Sequence, residues 1–98
     1  MNVNLTTDMT SPSSIPYFLW DEPMTVAELK DKLATSSDDV RYRLLGKILR
    51  EARDTDVWNF ISPQELVVIW DKVEPYLGRR RPFWEFLIGK WQELGLID

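Results

Sequence analysis

Three consecutive arginines, Arg79, Arg80 and Arg81, follow Gly78 and stand directly before Pro82-Phe83-Trp84-Glu85-Phe86-Leu87. A guanidinium is charged at every physiological pH and presents a planar fork of donors. It can hold a carboxylate or a phosphate through two parallel hydrogen bonds. The chemistry of this run is therefore anion recognition, with Trp84 beside it as an aromatic anchor, and Arg and Trp are both enriched at interface hot spots. A local reading stands next to it. Arginines after a helix end can cap its last carbonyls, and Arg81 precedes Glu85 by four residues, the spacing of an intrahelical ion pair. Consecutive side chains on a helix diverge by about 100°, so one local partner cannot serve all three. A second basic set, Arg43, Lys47 and Arg50 at i, i+4 and i+7, reads either as a solvated helix face or as more of an anion-binding surface.

Other chemistries lack their residues. The chain has no His and no Cys among 98 residues. The usual zinc ligand sets, a His-based triad, a Cys nucleophile and a disulfide framework are all ruled out. Carboxylate-only metal sites stay open. Most of the acidic residues have simpler work at helix N-termini or in local ion pairs, and no Gly-rich phosphate loop is present. The expectation is a non-catalytic protein without cofactor or metal.

The net charge of −4 argues against a general nucleic-acid binder. That charge is uneven, with two Lys against seven acidic residues over 1–40 and ten basic against nine acidic over 41–98. A protein partner with an acidic surface is the leading expectation. RNA or single-stranded DNA, held by Arg79–Arg81 and stacked on Trp84, is the alternative. A homodimer built on surplus aromatic surface is a third. No basic leader and no apolar run of about 20 residues is visible, so a cytoplasmic protein without membrane association is expected.

The elements that must position these residues read as all-α. One small domain of about four helices is expected over 15–98, behind a polar, disordered tail over 1–14. Ile15-Pro16-Tyr17-Phe18-Leu19-Trp20 reads as an extended aromatic segment, lying on the helical body or on a partner. Thr25-Val26-Ala27-Glu28 is a capping box that opens the first helix. The second spans 38–53, with Val40, Leu44, Leu45, Ile48, Leu49 and Ala52 on its buried face and Gly46 placed for close packing of a neighbour. Val57–Ile61 reads as a short helical turn or aromatic staple. Ser62-Pro63-Gln64-Glu65 starts the third helix, which Pro75 should end near Glu74 and Gly78 should stop. The fourth starts around Pro82 and ends at Gly95-Leu96, a Schellman pattern.

Two resemblances follow from these residues. Asp39-Val40-Arg41 with Leu44-Leu45-Gly46-Lys47-Ile48 resembles the second helix of a HEAT repeat. It covers about residues 25–53, and stable stacks need three or more units, so it implies a packed helical pair. A second likeness is carried by Ile48-Leu49-Arg50-Glu51-Ala52-Arg53, Val57-Trp58, Ser62-Pro63-Gln64-Glu65 and the run from Leu77 to Leu87. These resemble small uncharacterised bacterial helical proteins, often encoded beside a nucleotidyltransferase-like toxin of the abortive-infection type. That likeness spans about residues 24–97 and implies an antitoxin or accessory partner of such a toxin. It supplies no catalytic motif.

Overall fold

A computed structural model describes residues 5–96 of the chain. Its N-terminal segment opens with a short parallel pairing of β1 (Leu5–Thr6) with β2 (Ile15–Pro16), Leu5 opposite Ile15 and Thr6 opposite Pro16. Between them Asp8 folds the chain locally, accepting from the Thr10 backbone N–H at 2.9 Å and from its hydroxyl at 2.6 Å. Those bonds hold its carboxyl below the ordinary value. Residues 5–14 are not the loose tail that their polarity suggests. Met9 is buried in the core, and the carbonyls of Ser14 and Pro12 accept from Val26 and Ala27 at 2.8 and 3.1 Å. A helix start leaves its first N–H groups without intrahelical acceptors, and this segment supplies them. The remaining part of the expected tail, residues 1–4, lies outside the described residues.

Pro16 begins a turn of 3-10 helix over Tyr17–Leu19 that seats Phe18 and Leu19 fully in the core and leaves Trp20 65% exposed. The aromatic segment thus packs on the body, with Trp20 as its exception. Helix α1 (Val26–Thr35) starts at the reciprocal Thr25/Glu28 box, with bonds of 3.0 and 3.1 Å. Helix α2 (Asp38–Glu51) packs on α1 as a helical pair and carries the centre of the core, Leu44, Leu45, Ile48 and Leu49.

Helix α2 stops at Glu51, short of Arg53. The Arg53 N–H leaves the helical ladder and donates to the Tyr17 hydroxyl at 2.6 Å, which in turn donates to Asp56 at 2.7 Å. A single helical turn, α3 (Asp54–Val57), follows, starting three residues before the Val57–Ile61 stretch where a turn is expected. Helix α4 (Pro63–Val73) starts at Ser62, whose hydroxyl accepts from the Glu65 N–H at 3.1 Å. The Glu65 carboxylate accepts from that same hydroxyl rather than from the cap backbone, so the cap is not reciprocal like the one at Thr25.

Pro75 ends α4 as expected, in a 3-10 turn over Glu74–Tyr76. A Cβ at Gly46 would collide with the Tyr76 side chain, so this glycine is what lets the turn lie against α2. Gly78 takes a φ of +53°, which favours glycine, and starts another 3-10 turn over Gly78–Arg80. Helix α5 (Arg81–Glu93) follows. Its end is a Schellman motif: Leu96 N–H donates to Trp91 O at 2.8 Å, Gly95 N–H to Gln92 O at 3.1 Å, and Gly95 has a φ of +74°. The result is an all-α fold with one minimal strand pair among the described residues, extending over 47 × 26 × 23 Å.

Candidate partner interface

The corner between α4 and α5 sorts the three arginines. Arg81 is consumed locally, with Nη2 2.6 Å from Glu74 and Nε 2.6 Å from Glu85. The Arg80 side chain has no hydrogen bond and no carboxylate among the described residues. Its guanidinium lies over the Phe83 ring at 4.3 Å, and its Nε is buried without an acceptor. Arg79 is exposed and also has no partner among the described residues. Leaving a buried donor unpaired costs about 1–3 kcal/mol, more for charged groups, so Arg80 carries an unmet demand for an acceptor. Stacking on Phe83 meanwhile restricts where that acceptor can approach.

Trp84 is not part of the open surface. It is fully buried, and its indole N–H donates to the Leu49 carbonyl at 2.8 Å. Phe83 and Trp58 meet its ring edge-on, at 5.1 and 5.8 Å between centroids, and Trp58 continues the cluster to Trp91 at 5.6 Å. A ring enclosed in this way cannot anchor a partner or stack on a base. The corner places it in the core, and the expectation of a Trp84 contact is corrected.

The second basic set is corrected for a different reason. Arg43 makes a bidentate pair with Glu22, at 3.0 and 2.9 Å. Lys47 is nearly buried and pairs with Asp21, with Glu22 3.5 Å away. Arg50 donates to the Tyr76 carbonyl at 2.9 Å and pairs with Glu51 at 3.0 Å. Hydrogen bonds from Lys47 and Arg43 hold the Asp21 and Glu22 carboxyls below their ordinary values, and Glu22 holds the Arg43 guanidinium above its own. The stripe is already neutralised by the chain itself. Arg43 and Arg50 stay exposed to solvent, and their charge is met by carboxylates of the same surface.

Arg41 pairs with Asp38, and Arg53 with Asp56. Of the seven arginines in the chain, Arg79 and Arg80 alone lack a carboxylate among the described residues. An apolar groove of about 400 Å³ between α1, α2 and α4 offers no comparable demand. Its rim charges are engaged, Arg41 with Asp38 and Glu65 with Ser62.

Two features were not singled out as site residues from the sequence. Phe86 on α5 and Leu94 at its C-cap stand 62% and 68% exposed. The signal was present, because the apolar residues of α5 exceed one stripe and a single core contact cannot cover them all. The neutralising role of Asp21 and Glu22 had no local signal. No helix among the described residues is long and apolar enough to cross a membrane. The chain matches no protein-family model, no curated protein and no solved structure.

Proposed function

We propose that this chain is a non-catalytic protein–protein interaction module whose partner presents carboxylates to the corner at Arg79 and Arg80. The observation that supports it is the sorting of the arginines. Five are neutralised within the chain, and the two that are not stand side by side. An unpaired, partly desolvated guanidinium next to a free one suits a carboxylate-bearing surface, because each gains a charge-assisted bond on docking. The nucleotidyltransferase-like toxin implied by the sequence resemblance is the partner we would examine first, with this chain as its antitoxin or accessory subunit. Nucleic acid fits less well. Trp84 offers no stacking face, and Arg79 and Arg80 on a chain of net charge −4 make a small electrostatic footprint.

Affinity capture from the native host, with wild-type chain and an Arg79→Ser/Arg80→Ser double variant, tests the reading. An acidic protein should be retained by the wild type and lost from the variant, with far-UV circular dichroism unchanged. Equal capture by both chains would remove the corner from the interface. Tight retention of nucleic acid at physiological salt would replace the protein partner.

A further inference from the structure

The face of α5 that continues from the two free arginines indicates what kind of partner fits. At about 100° per residue, Phe83, Phe86, Leu87, Lys90 and Leu94 fall on one face of the helix roughly 100° wide, the width of a helix-packing stripe. Phe86 and Leu94 are exposed, Phe83 and Leu87 half-buried. Trp84, about 100° round the helix from Phe83, is the one residue of α5 that is fully enclosed. Two cations are seated on aromatic rings along the stripe, Arg80 before its start over Phe83 at 4.3 Å, and Lys90 one turn before its end with Nζ 5.8 Å from the centroid of Phe86. Lys90 has only a loose surface contact to Glu93, at 3.5 Å, so it remains open to exchange. With a rise of about 1.5 Å per residue, the two cations lie roughly 15 Å apart along the helix, and the stripe is roughly 20 Å long.

We infer that the partner element is an acidic amphipathic α-helix of about four turns, docked lengthwise on this stripe. Its apolar side covers Phe83, Phe86, Leu87 and Leu94. Its carboxylates, spaced about three turns apart, meet Arg79 and Arg80 at one end and Lys90 at the other. Charge complementarity selects this occupant. A second copy of the chain would set one cationic stripe against another. An anionic bilayer would meet Glu93 at the edge of the stripe and a net charge of −4. The inference rests on the reading of Arg79 and Arg80 as the acidic-partner site and adds the partner's secondary structure.

Fluorescence anisotropy with the full chain and three labelled peptides of about 16 residues tests it. One is a Leu-Ala-Glu amphipathic helix with Glu placed ten positions apart. The second replaces two of its central Ala by Pro, and the third is polyglutamate. The helical peptide should bind saturably and the Pro version about tenfold more weakly or worse. Arg79→Ser/Arg80→Ser and Phe86→Ser/Leu94→Ser should each weaken binding about tenfold or more, with circular dichroism unchanged. Equal affinity for helical and Pro-broken peptides overturns the helical partner while leaving an acidic site at the corner. Binding insensitive to Phe86→Ser/Leu94→Ser overturns lengthwise docking. No binding of any acidic peptide overturns both readings. Tighter binding of oligodeoxythymidylate or phosphatidylserine vesicles than of the helical peptide, or a mass that doubles with concentration, replaces the partner helix by another occupant.

Discussion

Trp84 joins α5 to α2 with one ring and one N–H. Leu49 would ordinarily give its carbonyl to the N–H four residues on, at Arg53. That N–H is turned away to the Tyr17 hydroxyl, and the freed carbonyl takes the Trp84 indole instead. Burial raises the Tyr17 hydroxyl above its ordinary value of 10.0, so it stays protonated and donates to Asp56. The exchange of partners ties the N-terminal segment, the end of α2 and the start of α5 into one set of dependent bonds. Trp84→Phe keeps most of the ring and leaves the Leu49 carbonyl unpaired, which should cost about 1–3 kcal/mol. Trp84→Ala should cost about 3–5 kcal/mol. Urea unfolding measures both, and a Trp84→Ala midpoint equal to wild type would contradict the enclosed site.

At the scale of the elements, two helical glycines do opposite work. Gly46 lets the Glu74–Tyr76 turn press on α2, where a Cβ would run into Tyr76. Gly89 has nothing within 4 Å of the position a Cβ would take. The same substitution should therefore have opposite signs. Gly89→Ala should gain about 0.5–1 kcal/mol from helix propensity alone. Gly46→Ala collects that gain and then loses about 1–3 kcal/mol or more to overpacking. Thermal unfolding of the two variants separates them, and destabilisation by Gly89→Ala would mean that its face is covered.

Across the whole molecule, the N-terminal segment acts as an internal counterion. Asp21 and Glu22 reach α2 from outside the helical bundle and neutralise Arg43 and Lys47. Their folded-state carboxyls titrate below the ordinary values of 3.8 and 4.5. Their contribution to stability is therefore full above those values and lost as pH falls through the depressed ones. Glu22→Gln should lower the urea midpoint at pH 7, and the gap to wild type should close as pH drops below 4.5. A gap that widened towards acid would mean that Glu22 is not held ionised by its cations.

Much of the fold was legible because its signals are local. The Thr25 box, the Ser62 cap and the Gly95-Leu96 ending each act between residues no more than five apart, where backbone geometry decides the bond. The all-α class follows from such signals together with helical spacing of the apolar residues. The short-range pair of Arg81 with Glu85 was readable for the same reason. Residues 5–14 were not, because one buried methionine and two carbonyls on a helix N-terminus leave no periodic mark. Nor was the fate of the arginines. Glu22 lies 21 positions from Arg43, and an ion pair depends on distance through space. The sequence by itself determined where helices begin and end and that Arg79–Arg81 occupy a corner. Only the tertiary structure decided which cations that corner leaves without a carboxylate, because neutralisation requires residues remote in the chain to meet.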